Sequence, residues 1–207
     1  MLIEEERTTR YAAQVARYDR SHARWLRHAG GEAQCAFEGA AAALLRPGMA
    51  LLDAACGTGT VARRLLAGVE GSVELTLLDA EPGMLDLCSD LPARRLSGRI
   101  EAMPLPDDSF DLVTCAWGIE TLDDPRPALG EFLRVARPGA AICIVFCAER
   151  PARSLWGEAL RHSIEWRGLG RFLDGPLVMA AAATLGARDI RALHCTGPAA
   201  AVLFRAA

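Results

Sequence analysis

Asp53, Gly57, Gly59 and Asp79 are the residues whose types and spacing most directly admit chemistry, lying in "LLDAACGTGTVARRLL" and at the end of "VELTLLD". Gly57 and Gly59 let the backbone turn tightly and approach a ligand with no Cβ in the way. A helix beginning near Thr60 would aim free N–H groups at the same place. With Ala62, the two glycines satisfy the pattern G-x-G-x-x-G/A, which sets a pyrophosphate on a helix N-terminus. Asp79, at the end of the next strand, is placed to accept hydrogen bonds from both hydroxyls of a ribose. NAD, FAD and S-adenosylmethionine all carry that ribose, so the turn and the acid leave the three open.

The elements that must position these residues follow from hydrophobic periodicity. The runs "ALLDAA", "VELTLLD", "FDLVTCA" and "AAICIVFCA" are short and nearly continuous, as for parallel strands covered on both faces. Between them, "TVARRLLAGV", "EPGMLDLCSDL" and "DPRPALGEFLRVARPG" have apolar positions at helical spacing, with Leu129, Phe132, Leu133 and Ala136 on one face. This alternation predicts an α/β fold, a Rossmann-like doubly wound sheet with helices on both faces. The segment "RRLSGRI" supplies one more strand. "ARDIRALHC" and "AAAVLFRA", separated by Thr196, Gly197 and Pro198, read as a hairpin. The expected sheet is seven-stranded and mostly parallel, with an antiparallel last strand. Ligands in such sheets sit at the carboxyl ends of the strands, where strand order reverses.

A length of 207 residues with 51% hydrophobic content predicts one core and one domain over residues 1–207. Within it, residues 1–46 read as lid or packing helices, 47–147 as the cofactor core, and 148–207 as acceptor-side helices with the terminal strand pair. There is no apolar run of about 18 residues and no signal-like start, which predicts a cytoplasmic chain. All 23 basic residues are arginine, yet the net charge of -3 argues against a nucleic-acid partner. The seven cysteines are scattered, with no CxxC pair and no histidines at zinc-ligand spacing. No metal is expected, and Cys143 and Cys147 read as small buried hydrophobes. After "AAICIVFCA" only about sixty residues remain, little room for a second mononucleotide-binding half and a substrate domain.

Taken in order, "LLDAACGTGTVARRLL", "LLDAEPGML" and "GRIEAMPLPDDSFDLVTCAWGIETLDDPRPALGEFLRVARPGA" resemble the consecutive motifs of class I S-adenosylmethionine-dependent methyltransferases. The likeness is strongest to the small-molecule branch that includes ubiquinone/menaquinone-type enzymes and runs over residues 48–147. It implies S-adenosylmethionine as cofactor, with Asp53 fixing its amino-acid end and Ala55, Cys56, Gly57 and Gly59 forming the turn against it. Asp79 resembles the acid on the ribose, while Ala80 and Met84 match positions flanking the adenine or its ribose. Ile100, Glu101 and Ala102 resemble the loop over the adenine edge; Ala116 and Trp117 fall beside the methionine moiety. Two positions depart from the family: Ala55 replaces the first glycine of the turn, and Arg99 replaces an aspartate that accepts from the adenine amino group, which arginine cannot do.

Methyl transfer from a sulfonium needs alignment more than covalent help, and alignment can be worth about 7–11 kcal/mol. A general base is needed only where the acceptor must lose a proton. Glu120 is the candidate catalytic group, as base or orienting residue, with Thr121 beside it; a solvated loop glutamate is the plain alternative. Tyr11, Val15, Tyr18, His22, Trp25 and Ala29 make one aromatic helical stripe, and Arg10, Arg17 and Arg24 a basic one. That helix reads either as a lid, with Tyr11, Tyr18 and His22 on the acceptor side, or as a peripheral contact with an anionic membrane. Trp156, His162 and Trp166 are further acceptor-side candidates, or one core-facing helix. The expected function is methyl transfer to a small, lipophilic acceptor. A non-catalytic S-adenosylmethionine-binding regulator and an NAD-dependent oxidoreductase are the alternatives.

Overall fold

The computed structural model describes residues 20–207 except Arg153 and Leu169. Tyr11, Tyr18, Arg10 and Arg17 lie outside the described residues.

The described chain opens as a helix over residues 20–25, widens into a π-helical turn at Leu26–Gly30, and continues as α1, Gly31–Leu44. The strands are β1 (Ala50–Ala54), β2 (Glu74–Asp79), β3 (Ala93–Ser97), β4 (Phe110–Ala116), β5 (Ala136–Cys147), β6 (Arg188–His194) and β7 (Ala199–Arg205). Between them run α2 (Thr60–Ala67), α3 (Pro82–Asp86), α4 (Arg126–Val135), α5 (Leu155–Trp166) and α6 (Gly175–Thr184). They form one seven-stranded sheet of order β3-β2-β1-β4-β5-β7-β6. Neighbours from β3 to β5 pair in parallel, and β7 is antiparallel to both β5 and β6. The sheet is therefore the expected one, with the last strand in sequence inserted between β5 and the edge strand β6.

Two apolar layers cover the sheet. Phe37 and Ala41 of α1 and Val61, Ala62 and Leu65 of α2 pack with Leu51, Leu77 and Val145 on one face. Leu129 and Phe132 of α4 and Val178 and Ala182 of α6 pack with Leu52, Val113, Ile144 and Phe204 on the other. Phe37, Phe132, Phe146 and Phe204 are completely buried. Each such side chain contributes about 1.5–3 kcal/mol relative to exposure.

Two elements differ from their expected extent. α4 stops at Val135, where the backbone turns extended, so Ala136 opens β5 instead of closing the helical face. α3 keeps only Pro82–Asp86: Glu81 caps its start by accepting from the Gly83 N–H, but "LCSDL" winds into successive turns.

The strand order reverses between β1 and β4, since β2 and β3 lie on one side of β1 and β4 and β5 on the other. The carboxyl ends of β1, β2 and β4 therefore open a crevice at the switch point.

Candidate functional site

The turn after β1 is built on left-handed residues. Ala55, Gly57 and Gly59 have φ of 54°, 53° and 74°, and Gly59 leads directly into α2. An alanine in that region costs on the order of 1–2 kcal/mol relative to the right-handed form, which is why glycine suits position 55. The Ala55 methyl also dictates its neighbour: a Cβ on Gly118 would come within 2.7 Å of it.

Asp53 closes the base of the turn and is 1% exposed. The Thr114 hydroxyl of β4 donates to its Oδ1 at 2.8 Å, whereas Oδ2 is buried with no hydrogen-bond partner. Burial pushes the Asp53 carboxyl up to about 7, against the lowering effect of Thr114. Asp79, at the end of β2, is tied from both sides. The Gly57 N–H donates to its Oδ2 at 2.8 Å and the Glu81 N–H to its Oδ1 at 2.9 Å. Burial raises its pKa, and those two N–H groups pull it back down.

Between β1 and β4 lies a shallow, open cleft lined by His22, Asp53, Ala55, Thr58, Ala116 and Trp117, among others. His22, expected on the acceptor side, thus borders the same cleft as Asp53. Trp117 takes φ of 58°, rare for a bulky residue, and its ring meets His22 and Trp25 edge-on at 6.0 and 5.9 Å. Trp25 meets Phe172 in turn at 6.1 Å. The helical stripe expected through His22 and Trp25 therefore lays its aromatic side on the end of β4.

Cys56 also lines the cleft, and Cys88 lies beneath it, both thiols directed at the Gly57 carbonyl at 3.7 and 3.5 Å. The scattered spacing of the cysteines hid this meeting, since α3 and its turns bring residue 88 back under the loop. The Cys56 thiol and the Arg63 guanidinium lower the Cys88 pKa.

Elsewhere, Met84 and Ile100 are buried, Ala80 and Ala116 half-buried and Ala102 exposed. Glu101 is ion-paired with Arg99, and the bridge Arg99↔Ala102 closes that turn. The arginine that departs from the family pattern thus holds the one nearby carboxylate.

Glu120 is not the solvated loop residue its position suggested. It is 3% exposed, in a 3-10 turn at Ile119–Thr121, packed under Gly170. The Cys147 N–H donates to Oε1 at 3.3 Å, and Oε2 is buried with no partner. Burial pushes its carboxyl up to about 7. Thr121 turns its hydroxyl back to the Gly118 carbonyl at 2.6 Å. His162 is not brought to the cleft. Its side chain is 66% exposed on α5, between Glu158 and Glu165, and Trp156 and Trp166 are likewise exposed. The apolar spacing of α5 fits a core face, but Gly157 is its one residue classed as buried.

A switch-point crevice beside a glycine turn, an acid at the end of β2 and a β7 inserted antiparallel between β5 and β6 make up a fold shared with methyltransferases. Residues 52–144 match the family described as "Methyltransferase domain", in line with the resemblance of their motifs to class I S-adenosylmethionine-dependent methyltransferases. It is similar to a ubiquinone/menaquinone biosynthesis C-methyltransferase of Methylobacterium nodulans, 39% identical over 46% of this chain and 41% of the relative. It is also similar to a malonyl-[acyl-carrier protein] O-methyltransferase of Serratia marcescens, 36% identical over 61% of this chain and 49% of the relative. The chain thus spans less than half the length of both. In fold it matches the crystal structure of an S-adenosylmethionine-dependent methyltransferase of Thermotoga maritima, described as a possible histamine N-methyltransferase. The TM-score is 0.70 at 18% identity, covering 94% of this chain and 97% of that one.

Proposed function

We propose that this chain binds S-adenosylmethionine in the β1–β4 cleft and transfers its methyl group to a small, lipophilic acceptor by in-line displacement. The observation that carries the reading is Asp53: a buried carboxylate with one oxygen orphaned, lining the cleft beside the glycine turn at the switch point. Such an atom calls for a donor, and the ammonium of an amino-acid moiety is one. The residues fit the rest of the group. Each Asp79 oxygen keeps a lone pair beyond its backbone bond, so the ribose hydroxyls have acceptors. Ala55, Cys56, Gly57 and Gly59 form the cradle, Ala80 and Met84 flank the base, and Ile100, Glu101 and Ala102 cover its edge. Ala116 and Trp117 border the methionine end.

When bound, the cofactor supplies a methyl group already electrophilic on a sulfonium. The chain's share of the work is to hold the acceptor in line and to exclude water, and the wall made by Trp117, His22 and Trp25 serves both ends. That aromatic wall and the names of the relatives support a flat or lipophilic small molecule. Glu120 is the group to take a proton, because its Oε2 is free of partners and its pKa lies near neutrality. We further read residues 1–207 as one domain with the acceptor-side elements after residue 147. Contact with an anionic membrane through Arg10, Arg17 and Arg24 belongs to the same proposal, and it is dropped if replacing the three leaves liposome flotation unchanged.

Among the described residues no helix is long and apolar enough to cross a membrane. Titration calorimetry with S-adenosylhomocysteine and with NAD is the deciding experiment. Binding of the thioether and not of NAD is expected, and the reverse pattern ends the methyltransferase reading. Thioether binding with no release of S-adenosylhomocysteine across phenol, enol, amine and thiol acceptors would favour a regulatory binding protein.

A further inference from the structure

Trp117 stands in a costly conformation, and what holds it there comes from an element outside the sheet. The indole Nε1–H of Trp117 donates to Gln34 Oε1 at 2.6 Å. Gln34 lies on α1 and is 3% exposed, a polar side chain in an otherwise apolar layer. Its Nε2 donates to Glu38 Oε1 at 2.7 Å, and the same oxygen accepts from Arg64 Nη1 at 2.7 Å. An indole only donates and a carboxylate only accepts, so the Gln34 amide can sit one way round. The chain of bonds therefore runs Trp117 to Gln34 to Glu38, with Arg64 closing it. Arg64 belongs to α2, the helix that starts at the glycine turn. One wall of the cleft is Trp117, the other is the turn that opens α2, and α1 ties the two together.

A bulky residue at φ of 58° is strained and persists only where its surroundings over-determine it. The edge-on contacts with His22 and Trp25 fix the ring plane, and among the described residues the Gln34 bond fixes which way the indole N–H points. Gly30 leaves the room: a Cβ there would lie 2.7 Å from the Trp117 ring.

We propose that Gln34 is a positioning residue, which sets the Trp117 indole as the wall of the cofactor cleft and couples that wall to the glycine-turn helix through Glu38 and Arg64. The inference rests on the cofactor site proposed above. It predicts that Gln34 acts on the cofactor only through Trp117.

The test is a double-mutant cycle read by S-adenosylhomocysteine calorimetry and by the indole N–H resonances of the four tryptophans, with the Trp117 peak assigned from Trp117→Phe. Gln34→Leu should move that peak upfield and weaken thioether binding about tenfold, the loss expected for one buried hydrogen bond and the mobility that follows. Trp117→Phe reads the same bond from its other end, should a Gln34 variant fail to fold. Gln34→Leu added to Trp117→Phe should change affinity by less than about twofold. The exchange Gln34→Glu with Glu38→Gln keeps an acceptor for the indole and a donor between the two helical positions, and should restore most of the affinity. Wild-type affinity in Gln34→Leu, or an equal loss in the Trp117→Phe background, would overturn the proposal. If the wild type binds no thioether, the cofactor reading itself fails and the positioning role goes with it, while the unmoved or moved indole peak still decides whether the Gln34 bond exists.

Discussion

The two ends of the sheet's carboxyl edge are built differently. At β1, β2 and β4 the charged groups are buried and held by neighbours fixed in the sheet: Thr114 on Asp53, and the Gly57 and Glu81 N–H groups on Asp79. On α5, which follows β5, the large side chains face outward, with Leu155 91%, Trp156 73% and Trp166 88% exposed. A cavity of about 200 Å³ lies on that half between β6, β7 and the start of α6, and none of the residues expected to act in the site borders it. The first half is pre-formed for one ligand. The second is a surface on which few contacts fix any side chain, and preorganisation belongs to the side that must hold the cofactor.

If that contrast is right, the largest effect comes from the buried half. Asp79→Ala removes one charge-assisted hydrogen bond from the glycine turn, one from the Glu81 N–H, and the proposed ribose acceptor. S-adenosylhomocysteine affinity should fall about a hundredfold or more, at roughly 1.5–3 kcal/mol per bond. Unchanged affinity by calorimetry would mean that the turn does not depend on Asp79.

Glu120 gives the next effect, in stability. Its pKa rises from 4.5 to about 7 on burial, so the folded protein holds a proton that the unfolded chain has released. The stabilisation is complete below the unfolded value and is lost as pH climbs through about 7. Glu120→Gln removes that loss, which is on the order of 3 kcal/mol. Between pH 5 and 8 the wild-type melting temperature should therefore decline more steeply than that of the variant, with the gap widest at pH 8. Parallel curves would show that Glu120 ionises freely in the fold. If Glu120 takes the acceptor's proton, as proposed, turnover should also rise with pH through the same interval, and Glu120→Gln should flatten that rise.

Ala55→Gly is smaller and opposite in sign. Relieving a left-handed alanine should stabilise by about 1 kcal/mol, a rise of about 2–4 °C in Tm for a chain of this size. A drop on thermal melting would show that the methyl's packing against Gly118 outweighs the backbone strain.

What could be read in advance follows the same division. Asp53, the glycines and Asp79 are legible because a tight turn between strand and helix has local chemistry, and the switch point follows from the strand order. The burial of Glu120 was not legible, since Gly170 and Arg171, which cover it, come fifty residues later and carry no periodic signal. Gln34 left a faint one, a glutamine sharing a helical face with Phe37 and Ala41 and followed by Glu38 at i+4. The meeting of Cys56 and Cys88 depends on how far α3 extends, and sequence periodicity overestimated it. On α5, the sequence left Trp156, His162 and Trp166 either on the acceptor side or facing the core, and the helix instead packs Leu160 and Ile164 inward and leaves those three exposed.

The outward face of α5 supplies the smallest effect and the sharpest check of the contrast. Trp166→Ala deletes a ring that is 88% exposed, so little apolar area returns to water and stability should move by less than about 0.5 kcal/mol. Thioether affinity should not move either, since among the described residues no hydrogen bond or ring contact ties Trp166 to the cleft. The acceptor KM is the discriminating quantity. Should it rise severalfold while kcat and cofactor affinity stay put, the exposed face of α5 takes part in gathering the lipophilic acceptor before it reaches Trp117. An unchanged KM would confine acceptor recognition to the cleft, and with it to the His22, Trp25 and Trp117 wall that α1 holds in place.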